Sequence, residues 1–70
     1  MKNKVSYSDL TESEVTAMEY FITDAELTLV KFEEYDISDF SLETDISYVY
    51  QFATEEDALH FVLRFGGELR

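Results

Sequence analysis

His60 is the single histidine of the chain, the residue type most often used as a general acid or base. As a general base it would need an orienting partner and a pocket. Its surroundings in the sequence point elsewhere. Glu56 lies one turn before it and Arg64 one turn after, which makes an i, i+4 ladder on the polar face of a helix. Carboxylates are the abundant functional group, with 16 Asp and Glu against 5 Lys and Arg. A calcium loop of the EF-hand type needs oxygen ligands at fixed offsets and glycine at the sixth position. Counted from Asp36, the sixth position is Ser41 and the twelfth is Ser47, so that pattern fails; an irregular calcium site is a third-ranked possibility. One histidine and no cysteine make a poor zinc set. The chain carries neither a glycine-rich phosphate loop nor a nucleophile elbow. The expectation is a protein that is not an enzyme and uses no cofactor or metal.

The acids are unevenly placed. Glu33, Glu34, Asp36, Asp39, Glu43 and Asp45 follow Lys31 with no further base among them, interleaved with Tyr35, Ile37, Phe40 and Leu42. Spaced two apart on a strand, carboxylates lie about 7 Å apart on one face. Spaced three or four apart on a helix, they lie about 5–6 Å apart. Duplex DNA carries one charge per about 1.7 Å of axis. Rows of these carboxylates therefore approach the charge density of phosphates, and Tyr35 and Phe40 add apolar anchors that phosphates lack. Direct nucleic-acid binding is disfavoured, because phosphates would meet a like-charged surface. Tyr48 and Tyr50 could stack bases, but no basic groove accompanies them.

Local signals define the elements that carry these residues. Thr11 and Glu14 form a capping box ahead of a helix whose Val15, Met18 and Ile22 share a face. Ser13, Thr16, Ala17 and Tyr20 form its opposite, uncharged face, and "TDAE" ends it. In "LTLVKFEEYDI" the apolar alternation changes phase between Leu29 and Val30. A strand with a bulge accounts for that, and a helix from Asp24 is the alternative. Ile46, Tyr48, Tyr50 and Phe52 alternate on the clearest strand. Between the two strands "SDFSLETD" makes a long hairpin loop. Thr54 caps a final helix with Glu55, Glu56 and Asp57 in its first turn, and Ala58, Phe61, Val62 and Phe65 form its stripe. Leu59 and Leu63 widen that stripe, and Gly66 ends the helix. A short strand through Val5 and Tyr7 can precede everything. The fold class is α+β: one small domain over residues 1–70, with an antiparallel sheet of two to three strands packed against two helices.

Seventy residues allow one domain with a small core. A net charge of −11 would suggest disorder if hydrophobicity were low, but 46% hydrophobic and 16% aromatic residues argue for a folded chain. The lack of cysteine fits a reducing cytoplasm. No apolar run reaches the length of a membrane span, and "MKNKVSYSDL" has no signal-peptide core.

A short, acidic, cysteine-free domain resembles the small phage-encoded proteins directed against host enzymes, including anti-restriction, anti-CRISPR and glycosylase-inhibitor DNA mimics. The ending "YQFATEEDALHFVLRFGG" also resembles a strand-helix ending of small phage proteins. These likenesses imply fold and origin and transfer no site residue. They imply a viral inhibitor in the host cytoplasm that occupies the basic nucleic-acid-binding site of a host protein. The expected contacts are Glu33, Glu34, Tyr35, Asp36, Asp39, Phe40, Glu43 and Asp45. The alternative is an interaction module or homodimer subunit that uses Tyr20 and the uncharged helix face, with the acids serving solubility.

Overall fold

The structure, a computed structural model, describes residues 1–36 and 46–70. The order is β1 (Lys4–Ser8), α1 (Glu12–Asp24), β2 (Leu29–Asp36), β3 (Ile46–Phe52), α2 (Glu55–Phe65) and β4 (Glu68–Leu69). The strands form one sheet in the order β2-β3-β1-β4, with every neighbouring pair antiparallel. This is the split β-α-β arrangement of ferredoxin-like topology. The α+β class expected from the sequence holds, with one strand more than the upper expectation. The N-terminal segment through Val5 and Tyr7 is a central strand, and β4 is the added one.

Each helix begins where a side chain can take up its free amides. Thr11 Oγ1 accepts from the Glu14 amide at 3.2 Å, and the Glu14 carboxylate accepts from the Thr11 amide at 3.0 Å, completing the capping box. The capping contacts pull the Glu14 carboxyl below its ordinary range, the Thr11 backbone first and its hydroxyl second. Thr54 Oγ1 accepts from the Asp57 amide at 3.1 Å. α1 ends in a Schellman motif: the Leu27 amide donates to Ile22 O at 3.0 Å and the Glu26 amide to Thr23 O at 3.2 Å. The motif needs a left-handed residue, and Glu26 supplies it at φ 56°. α2 ends at Gly66 (φ 76°).

The segment from Leu27 resolves as strand, and its change of phase is a bulge. Leu29 pairs with Phe52 and Lys31 with Gln51, so Val30 is the extra residue. Downstream of the bulge Phe32 and Glu34 share the face of Tyr50 and Tyr48, and Lys31, Glu33 and Tyr35 share the opposite face.

One face of the sheet is closed by both helices. Val5, Tyr7, Tyr48, Tyr50 and Phe52 join Met18 and Ile22 of α1 and Ala58 and Phe61 of α2 in a single buried cluster. Phe61 is its centre, with ring centroids 5.0–6.1 Å from Tyr7, Phe21, Tyr50, Phe52 and Phe65. Tyr48 and Tyr50 lie inside this cluster and present no surface on which a base could stack. Leu59 and Leu63 do not widen the stripe of α2: they are exposed, Leu63 by 78%. The sheet offers α2 contacts for Ala58 and Phe61, and among the described residues no further layer covers the flank where the two leucines lie.

Candidate functional site

β2 is an edge strand, and it carries the first half of the acidic stretch. Strand alternation divides that stretch between two faces. Glu34 and Asp36 hold register positions opposite Tyr48 and Ile46, and Glu33 and Tyr35 hold positions opposite Val49 and Ser47. The acids from 33 to 36 therefore do not make one row. Asp39, Phe40, Glu43 and Asp45 lie outside the described residues.

Glu33 is not an unbalanced charge: its carboxylate forms an ion pair with Lys31, two residues back on the same face. Such a pair on a surface contributes little to stability. It lowers the net charge that β2 shows on that side. Glu34 is exposed and, among the described residues, has no ion-pair partner. Around it the edge displays apolar side chains, with Val30 60%, Phe32 41% and Tyr35 47% exposed. Phe32 continues the core outward, its ring 4.8 Å from Tyr50 and 6.2 Å from Tyr48. The result is a strand edge where aromatic and branched surface alternates with carboxylates.

A second exposed patch lies on α1. Tyr20 is 69% exposed and borders a shallow depression of about 480 Å³ with Ser13, Thr16 and Ala17. This is the uncharged helix face marked in the sequence, with Glu12 at its border.

His60 is exposed on α2, and the ladder expected with Glu56 and Arg64 forms no ion pair among the described residues. Its ring instead meets Phe21 of α1 edge to face at 5.6 Å. The helix spacing did not show this contact, because it crosses between elements. Arg64 lies over the ring of Phe65 at 5.1 Å. Among the described residues no group of three acidic or imidazole side chains is placed to hold a metal ion. No described helix is long and apolar enough to cross a membrane.

A depression of about 540 Å³ lies on the sheet's uncovered face. Lys4, Lys31, Gln51 and Arg70 line it, together with Glu33, Val49 and Tyr35. Residue spacing does not signal this grouping, since Lys4 and Arg70 are 66 positions apart. The signal that could have found it was the expected strand through Val5, whose alternation turns Lys4 away from the core.

Compared with protein-family models, curated proteins and solved structures, the chain matches none.

Proposed function

We propose that this chain is a non-enzymatic acidic binding protein that docks through the β2 edge onto a basic surface of a partner protein. In the finer form of the proposal that surface is a nucleic-acid-binding site, occupied by mimicry, as in the phage-encoded inhibitors the sequence resembles. One observation carries the reading: Phe32 and Tyr35 stay exposed on an edge strand beside Glu34. Carboxylates steer the encounter with a basic surface, and aromatic side chains buried on contact keep the complex together. The net charge of −11 supports such steering over the whole molecule.

The test is kinetic. With a basic partner in hand, Glu34→Gln combined with Asp36→Asn should slow association, and raising salt should do the same. Tyr35→Ala should speed dissociation instead. DNA or RNA should compete with this protein for the partner. A partner that binds both at once with independent affinities would remove the mimicry reading.

The exposed Tyr20 face supports a second reading, a plain interaction module that docks through α1. Tyr20→Ala would then abolish binding, and the β2 substitutions would leave it intact.

A further inference from the structure

Three of the five basic residues of the chain line one depression on the open face of the sheet: Lys4, Lys31 and Arg70. The pairing register sets them in a single cross-strand row. Lys31 and Lys4 both pair with Gln51, from opposite sides. Lys4 and Arg70 exchange both backbone hydrogen bonds, at 3.1 and 2.7 Å, so they stand directly opposite each other. Like charges in that position destabilise a sheet. Among the described residues only Lys31 has an acidic partner, Glu33. In a chain with a net charge of −11, three cations brought together from remote positions form a local exception to the surface.

We propose that this depression binds a small anion with a phosphate chain, of the kind carried by nucleoside polyphosphates or by inorganic polyphosphate. Neighbouring strands lie about 4.8 Å apart. Lys4 and Arg70 are thus spaced to clamp one phosphate between an ammonium and a guanidinium. Lys31 stands two strands from Lys4, about 10 Å away. A linked chain of phosphates spans that reach better than a single phosphate does. The Gln51 amide lies between them as a further donor. The Arg70 guanidinium is steadied by donating to Ser6 Oγ at 3.4 Å.

The borders of the patch fix the size of its ligand. The next cross-strand row is Glu33, Val49, Ser6 and Glu68, so a longer polyanion would run onto carboxylates. The central strands present Ser6, Ser47, Val49 and Gln51 on this face, and Tyr35 of β2 is the one aromatic side chain among the lining residues, so a run of nucleic-acid bases has no row of rings to stack on. The helices, with Glu12, Glu14, Glu55 and Glu56, lie on the other side of the sheet. At physiological salt the screening length is about 8 Å, so charges beyond the sheet act weakly here. The site shares Lys31, Glu33 and Tyr35 with β2, but it rests on the cationic row alone and not on the docking proposed for that edge.

The experiment is calorimetric titration of the whole protein with sodium tripolyphosphate and, separately, with ATP, both without divalent metal and at matched ionic strength. Thermal unfolding runs in parallel, where a bound anion raises the midpoint. Tripolyphosphate should bind, and Lys4→Gln and Arg70→Gln should each weaken it about tenfold or more. Arg64→Gln, on α2, should leave it unchanged. Without anion, the Lys4 and Arg70 variants should unfold at the same or a higher temperature, because each removes a like-charge contact. Equal affinity for ATP and tripolyphosphate assigns the site to the phosphate chain alone. Tighter ATP binding that is lost in Tyr35→Ala adds the nucleoside. The proposal is overturned if tripolyphosphate has no effect beyond matched sodium chloride, if Arg64→Gln weakens it equally, or if citrate binds as tightly.

Discussion

The two faces of this sheet are written by the same strands and differ in almost every physical respect. The covered face is aromatic and dry, with Tyr50, Phe52 and Phe61 buried. The open face shows serines, Val49, Gln51 and a row of cations. Period-two alternation lets one strand serve both. Stability is concentrated on one side of β1 and β3, and the other side tolerates Lys4 facing Arg70, a pairing that a core could not accept. In a domain of 70 residues with little core to spare, the face free of packing duties is where chemistry can accumulate without unfolding the chain.

The sharpest way to test that asymmetry is Phe61→Ala, which removes the ring at the centre of the cluster. It should lower stability by about 3–5 kcal/mol, a large share of what a small domain has. Chemical denaturation measures it, and a loss under about 1 kcal/mol would deny that the covered face carries the fold.

Gly67→Ala comes next. Gly67 sits at φ 96°, and an added Cβ would fall 2.5 Å from the Tyr7 ring and 3.0 Å from Ser6 O. The ring cannot withdraw easily, because Tyr7 is packed against Phe61 and its hydroxyl donates to Gly66 O at 2.7 Å. The combined crowding and backbone strain should cost about 1–3 kcal/mol.

Tyr50→Phe should act in the opposite direction. The Tyr50 hydroxyl is buried and has no hydrogen-bond partner among the described residues. Removing it should leave the core intact and raise stability by about 1 kcal/mol. Burial first, and the Glu19 and Tyr48 charges after it, push this phenol from 10.0 up to about 12. Tyr7 is also raised, by burial first and then by Tyr50. In the unfolded chain both lose their protons near pH 10, while the folded chain still holds them. Stability is therefore full below about pH 10 and falls as pH rises toward 12. The Tyr50→Phe variant should lose less over that window. An equal alkaline loss in both proteins would show that Tyr50 does not titrate as a buried group.

The smallest effect is expected on the open face. Glu33→Gln breaks the pair with Lys31 and should change stability by no more than about 0.5 kcal/mol. A larger loss would mean that this face, too, holds the fold together.

Much of the covered face could be read from local pattern. The caps at Thr11 and Thr54, the alternation from Ile46 to Phe52, and the stripe through Ala58 and Phe61 are set by contacts within a few residues, which a sequence displays directly. The bulge at Val30 was legible for the same reason, as a break in alternation. β4 was not, because Glu68 and Leu69 form a strand only by pairing with β1, and two residues have no period of their own. The flanking leucines of α2 were misplaced because the stripe shows which residues prefer burial, not how much of the helix the sheet can cover. Of the candidate site, the sequence supplied the residues of β2 but not their division between faces, which depends on the register with β3. The cationic row was illegible, since its members meet only when the two central strands and both edges assemble.

That assembly has a consequence in time. β1 is among the first segments of this sequence to be synthesised, yet both its neighbours, β3 and β4, come much later; Tyr7 and Gly66, which hydrogen-bond, are 59 residues apart. At about 5–20 residues per second, β1 waits several seconds for its partners on the ribosome. During that interval α1, a 13-residue helix, is too short to be stable alone despite its caps. Val5 and Tyr7 thus have no sheet to enter until late in synthesis. Folding should be close to all-or-none and should wait until the segment carrying β4 has emerged, at the slower pace that non-local strand pairing imposes.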